Sequence, residues 1–200
     1  YNLRNDMNVV LGKARAIQSA ATGKTAADAA QIEQTSEGML SLAETYRDIL
    51  DLIGTSESPR PISLVGRLRT QVQQFRQEYP EAHVTVEIDC PEETAVVAMP
   101  GVERAVGELL ENAAVHAEQA HPAVTLRVEG HTDTVQIQVA DTGPGIPAVE
   151  RETLLGEAEI GSLSHGTGLG LWFVYWIVTR SNGHLSFEEN DPQGSIVTIE

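Results

Sequence analysis

Three short stretches in the second half of this 200-residue chain combine residue types and spacings suited to holding an anion and a metal ion. The first is Glu108-Leu109-Leu110-Glu111-Asn112-Ala113-Ala114-Val115-His116-Ala117. On a helix, Glu108 and Asn112 stand one turn apart and point the same way, and His116 extends the row by another turn. A carboxylate and a carboxamide so placed can hold a hydrated Mg²⁺ and orient a phosphate around it, because that ion takes a few oxygen ligands plus waters. A solvated helix face accounts for the row taken alone. The second stretch, Asp141-Thr142-Gly143-Pro144-Gly145-Ile146-Pro147, follows a strand-like run directly. The strand delivers Asp141 to a sheet end, where an ionised carboxylate accepts from an exocyclic amine, and the glycines let the backbone turn tightly beside a ligand. A plain turn opening on Asp is the alternative. The third is Gly166-Thr167-Gly168-Leu169-Gly170-Leu171, leading into an apolar helix. Glycines at a helix start expose N–H groups and the positive end of the dipole, an anion site. A Rossmann reading fails because no strand precedes the glycines, and a phosphate-binding P-loop fails because no lysine follows them.

The elements that must position these residues follow from periodicity. Residues 1–54 read as a helical hairpin. Leu3, Met7, Val10, Ala14 and Ile17 form a heptad-like stripe, Gly23 is a helix stop, and Thr25 with Asp28 makes an imperfect capping box. Ile32, Met39, Leu42, Tyr46, Ile49 and Ile53 continue the pattern in a second helix. So thin a seam is expected to pair with a second copy into a four-helix bundle, the alternative being packing on the rest of the chain. Residues 55–61, Thr55-Ser56-Glu57-Ser58-Pro59-Arg60-Pro61, read as a linker. Beyond it, 62–200 alternates between helix and strand. Helices are predicted over Ile62–Tyr79, Pro100–Glu118 and Leu169–Arg180, and strands over Val84–Ile88, Ala95–Met99, Val124–Val128, Val135–Val139, Leu185–Glu188 and Ile196–Ile199. The fold class is α+β: the hairpin, then a sandwich whose mixed sheet is covered by helices on one face.

Composition narrows the partners. With 29 acidic and 13 basic residues the chain carries −16, which excludes a nucleic-acid binder working by electrostatic attraction. Lys13 and Lys24 are its lysines, the remaining basic residues being arginine. A solvated acidic surface of this kind keeps a protein soluble in high salt. Hydrophobic residues at 41% exclude wholesale disorder, and the one cysteine, Cys90, excludes a disulfide framework. The longest apolar run, Leu169–Val178, is too short for a membrane span, so no membrane contact is expected from this segment. With no signal peptide at its start, the chain is expected to be cytoplasmic, or the cytoplasmic part of something longer, and its opening on Tyr1 suggests that something upstream has been removed.

In order and spacing, the three stretches resemble the GHKL ATPase superfamily and, within it, the histidine kinases. Glu108–Ala117 resembles the N box, Asp141–Pro147 the G1 box and Gly166–Leu171 the G2 box. Asn2-Leu3-Arg4-Asn5-Asp6-Met7-Asn8-Val9-Val10 resembles the dimerisation and phosphoacceptor helix of sensor kinases, in a version common among haloarchaea. The resemblance implies a GHKL (Bergerat) sandwich that binds Mg-ATP and passes the γ-phosphoryl to a histidine, and then to a response-regulator receiver domain, in a homodimer joined through the hairpin. It implies that Asp141 binds the adenine amine, with Gly143, Gly145 and Ile146 around the base, and that Asn112 ligates Mg²⁺. Glu108 is implied as the catalytic residue, and Gly166, Thr167, Gly168, Leu169 and Gly170 as the phosphate turn. His116 reaches a phosphate or the lid, or else caps its helix, and residues 148–165 form the lid. Trp172, Phe173, Tyr175 and Trp176 read as core rather than as a base-stacking platform.

The chain also departs from the family. Val115 stands where a basic residue is frequent, Leu154-Leu155 stand in place of lid phenylalanines, and Arg151 and His165 are the lid's candidate cations. No phosphoacceptor histidine is present in the hairpin; Tyr1 stands at its expected position. A natural replacement, an engineered one, and a histidine lying upstream of a shifted register remain open. A phenol with a pKa near 10 is a poor substitute for the imidazole nucleophile. The alternatives to a kinase are a degenerate, dimeric nucleotide-binding signalling module, or another GHKL ATPase such as an anti-sigma serine kinase.

Overall fold

A computed structural model describes residues 2–54, 57–117, 119–154 and 168–200. Contacts divide the chain into two units, Tyr1–Asp51 and Leu52–Glu200. Among the described residues no helix is long and apolar enough to cross a membrane.

In the first unit, α1 (Asn2–Ala20) and α2 (Lys24–Gly54) are separated by Gly23, whose φ of +65° is the left-handed conformation that ends a helix. The carbonyl of Gly23 accepts from the Ala27 N–H, so α2 begins before Thr25, and the Thr25–Asp28 cap expected from the sequence gives way to this start. The buried seam keeps Ala14 and Ile49 of the predicted stripe and otherwise differs from it, the side chains of Leu3, Leu42 and Ile53 lying outside the described residues. Leu11, Ala14, Ala29, Ser36, Thr45 and Ile49 are buried, whereas Ile17, Ile32, Met39 and Tyr46 are exposed. The seam mixes small residues with Leu11 and Ile49, and Ile32, Met39 and Tyr46 of α2 are left facing outward. Arg15 ties the helices together by donating to Glu33 at 2.6 Å and Glu37 at 2.7 Å.

The second unit has a mixed sheet. Strands β2 (His83–Asp89), β4 (Ala123–Gly130), β5 (Val135–Asp141), β7 (Ser195–Ile199) and β6 (Leu185–Glu189) lie side by side in that order. β2 runs parallel to β4, and the other pairs are antiparallel. Side chains alternate along each strand, so Val124, Leu126 and Val128 of β4 and Ile137 and Val139 of β5 share the buried face. Onto that face pack α3 (Leu64–Glu78), α4 (Val102–Val115) and α6 (Gly168–Arg180). Their helical spacing gathers Leu64, Leu68, Val72 and Phe75 on α3, Val106, Leu109 and Leu110 on α4, and Val174, Ile177 and Val178 on α6 into the core. Each such side chain contributes about 1.5–3 kcal/mol by leaving water.

A short ribbon, β1 (Arg60–Ser63) against β3 (Ala95–Ala98), was not evident from the sequence. It takes Arg60 and Pro61 out of the expected linker and starts the first long helix of this unit at Leu64 instead of Ile62. Proline suits this edge position, where its missing N–H costs no ladder bond. Helix α4 ends at Val115 rather than Glu118, and a short helix, α5 (Ala148–Leu154), occupies the start of the expected lid. The rest of that lid, 155–165, lies outside the described residues. Of the α6 aromatics, Phe173 is buried as expected. Trp172, Tyr175 and Trp176 are half-buried and meet edge to face at 5.8 and 5.7 Å.

Candidate functional site

Asp141 closes β5 in the middle of the sheet, so the strand carries its carboxylate to the sheet edge. Oδ1 accepts the Gly143 N–H at 2.7 Å, and the backbone N–H of Ser195 also bonds this carboxylate. Burial pushes the Asp141 carboxyl above the ordinary aspartate range, and those two N–H groups pull part of the way back. An ionised carboxylate has about four acceptor positions, so capacity remains for a ligand donor.

The loop after Asp141 is held from the neighbouring strand. Gly145 turns with φ +86°, and the next N–H, of Ile146, donates to Ser195 Oγ at 2.9 Å. Asn190 Nδ2 donates to the Asp141 carbonyl at 2.7 Å. Gly194, with φ +124°, lies so close to that same carbonyl that a Cβ would collide with it. Ser195, Asn190 and Gly194 were missed from sequence: the stretch around them reads as an ordinary hairpin turn, and nothing local marks it as facing Asp141.

A cavity of about 240 Å³ opens beside this loop. Asn112, His116, Asp141, Gly143, Gly145 and Ile146 line it, over an apolar floor that includes Leu109, Val139 and Leu171. Thus α4, the β5–α5 loop and the start of α6 surround one space. His116 follows Asn112 by one turn in αR conformation and lines the same cavity. It caps α4 through its N–H to the Asn112 carbonyl at 3.1 Å, and its exposed side chain stands at the cavity rim.

Glu108 lies on α4 next to this space but outside the cavity lining. A Cβ placed on Gly170 would sit 2.8 Å from Glu108 Oε2 and 3.7 Å from Asn112 Nδ2, so Gly170 lets the first turn of α6 approach both side chains. Burial raises the Glu108 carboxyl, Arg104 lowers it and Glu111 raises it again. Gly168 and Leu169 share the first turn of α6 with Gly170, whereas Gly166 and Thr167 lie outside the described residues.

The Asn112 Nδ2 atom is buried without a hydrogen-bond partner among the described residues. A carboxamide can be turned end for end within its site. The Asn112–Glu108 corner therefore presents hard oxygen donors, the kind Mg²⁺ takes. Among the described residues no group of three or more His, Cys, Asp or Glu side chains forms a metal cage. An ion bound here must complete its shell with water and ligand oxygens.

A family model described as histidine kinase-, DNA gyrase B- and HSP90-like ATPase matches residues 98–200, just over half of the chain. The sensor histidine kinase DpiB of Escherichia coli is 32% identical over 99 residues, 47% of this chain and 18% of that protein. The circadian input-output histidine kinase CikA of Synechococcus elongatus is 28% identical over 214 residues, covering 100% of this chain and 28% of its own length. The chain thus spans less than a third of these relatives. Among solved structures, the mycobacterial sensor histidine kinase MprB superposes with a TM-score of 0.59 at 23% identity, covering 70% of this chain and 95% of that one. Full-length ShkA in complex with AMPPNP superposes with a TM-score of 0.67 at 21% identity, covering 99% and 43% respectively. These structural likenesses show the fold.

Proposed function

Because the chain belongs to the family of histidine kinase-, DNA gyrase B- and HSP90-like ATPases, we propose that it is the cytoplasmic kinase core of a two-component sensor histidine kinase. The observation that carries this reading is the convergence of Asp141, Asn112 and the cavity between α4 and the β5–α5 loop, with Glu108 and Gly170 adjoining. Asp141 accepts from the exocyclic amine of the base, and the Gly143–Ile146 loop, braced by Ser195, holds the ring against Leu109, Val139 and Leu171. Asn112 and Glu108 face the phosphates, with the opening turn of α6 supplying N–H groups and dipole. Mg²⁺, when bound through Asn112, neutralises phosphate charge that the chain's net −16 would otherwise repel. In the proposed reaction the bond from the γ-phosphorus to the bridging oxygen breaks, ADP departs, and a histidine imidazole nitrogen gains the phosphoryl group. A receiver-domain aspartate then takes it. Positioning and charge neutralisation carry most of such a transfer.

The outward row Ile32, Met39 and Tyr46 on α2 supports pairing of the hairpin with a second copy. The net charge and the scarcity of lysine support a high-salt, haloarchaeal-type setting. A second reading, a dimeric nucleotide-binding module without autophosphorylation, rests on Tyr1 at the expected phosphoacceptor position. Titration with Mg-ATP in molar salt, followed by γ-labelled ATP on the parent and on Tyr1→His, separates the two. Acid-labile label on Tyr1→His supports the kinase. Binding without label on either protein supports the module, and absence of binding refutes both.

A further inference from the structure

Arg104 sits where α4, α6 and Glu108 meet. Its Cζ lies 4.7 Å from the centroid of the Phe173 ring, and its Nε lies 3.4 Å from Glu108 Oε1. Phe173 is only 3% exposed, so the guanidinium rests on a ring fixed in the core. The side chain of Glu108 is 15% exposed, and its second oxygen faces Gly170 in the first turn of α6. The carboxylate is therefore gripped on one side by a cation and abutted on the other by the helix start, next to Asn112. Glu111, nearby on α4, adds negative charge to the same region. Arg151 on α5, by contrast, has its guanidinium 4.0 Å from Glu189, on the other side of the β5–α5 loop. Arg104 is thus the cation that the described structure sets against Glu108. It does not line the cavity, so it acts through Glu108 and not by touching the ligand.

We propose that Arg104 is a positioning residue for the polyphosphate end of the site: it fixes Glu108 against α6 and cancels its charge, so that a triphosphate is accepted beside a half-buried carboxylate. This rests on the nucleotide reading given above. A cation stacked on an aromatic face and paired with a carboxylate loses little freedom in doing both. Without it, Glu108 would present an uncompensated negative charge to an incoming polyanion, in a chain already at −16.

The test is a set of Mg-ATP and Mg-ADP titrations on the parent, Arg104→Met, Glu108→Gln and the double variant, with unfolding midpoints measured in parallel. Arg104→Met is expected to weaken Mg-ATP about tenfold and Mg-ADP less, because coupled charges in contact interact at about this level. Removing the carboxylate as well restores Mg-ATP affinity to within about threefold of Glu108→Gln, since the repelling charge is gone. A merely structural Arg104 would show no such rescue. Arg104→Met binding Mg-ATP within about twofold of the parent overturns the proposal and leaves the nucleotide reading standing. Equal weakening of ATP and ADP without rescue also overturns it. A parent that binds no Mg-ATP refutes the nucleotide reading and this inference together. Should Arg104→Met fail to fold, Arg104→Gln decides: it removes the charge and keeps a polar end, and is expected to weaken Mg-ATP about tenfold, whereas binding within about twofold of the parent overturns the proposal.

Discussion

Replacing Asp141 by asparagine changes one oxygen to NH₂ and leaves the shape of the site intact. In the parent, the carboxylate accepts from Gly143 and Ser195, lines the cavity and keeps acceptor capacity for a ligand. Asparagine keeps one acceptor for those N–H groups, but its amide then meets the donor of the base with another donor. Losing a charge-assisted hydrogen bond costs about 1.5–3 kcal/mol, and the opposed donors place the loss in the upper part of that range. Affinity for Mg-ATP is therefore expected to fall about 30- to 100-fold, at about 1.4 kcal/mol per decade. Stability responds in the opposite sense. Burial raises the folded-state pKa of Asp141 above its unfolded value, so the ionised form weighs against folding at neutral pH. Stability from this group is regained as pH falls through the raised folded pKa, where the folded state takes up the proton first. Asparagine removes the penalty, and the unfolding midpoint of the nucleotide-free protein at pH 7 should not drop. In the parent, nucleotide affinity should decline on acidification from a pH above the ordinary aspartate range, and Asp141→Asn should lose that dependence. Calorimetric titration in molar salt, with a thermal melt on the same samples, reads both quantities. Binding within about threefold of the parent, or a loss that tracks a collapsed midpoint, would refute the assignment.

Other perturbations address separate parts of the structure. Asn112→Ala should abolish the gain in ATP affinity that Mg²⁺ gives the parent, so that chelating the metal weakens the parent and leaves the variant unchanged in the same titration. Gly194→Ala forces a Cβ toward the Asp141 carbonyl at φ +124°, and should cost about 3 kcal/mol in urea unfolding through strain and displacement of that strand end. Met39→Glu places a charge in the outward apolar row of α2 and should convert a dimer to a monomer by light scattering, whereas a seam closed within one chain would leave the mass unchanged. Because the net charge is −16, ATP affinity should rise with added salt until the field is screened, over a Debye length of about 10 Å at 0.1 M. A steady fall from low salt upward would contradict that electrostatic account.

Features that depend on near neighbours were legible in the chain before any fold was known. Apolar residues at helical spacing marked α3 and α6, alternation marked β4 and β5, and Gly23 marked the break between α1 and α2, because backbone hydrogen bonding and side-chain direction repeat over a few residues. The three chemical stretches were legible for the same reason, each being continuous in the chain. Tertiary structure decided the rest. With β7 inserted beside β5, Ser195 and Asn190 each come to bond a residue 49 positions earlier, an adjacency that depends on strand order and leaves no local trace. Pro61 lies in a strand because β3 supplies one partner and the other edge is free of ladder bonds among the described residues. The hairpin stripe split into an inner seam, where Leu11, Ala14, Ala29 and Ile49 are buried, and an outer row, where Ile17, Ile32, Met39 and Tyr46 are exposed, because the faces the two helices turn to each other depend on their pairing, which a count of apolar positions does not register. Arg104 followed the same logic. Its spacing from Glu108 is written in α4, but only the packing of α6 puts Phe173 beneath it and Gly170 against the carboxylate it holds.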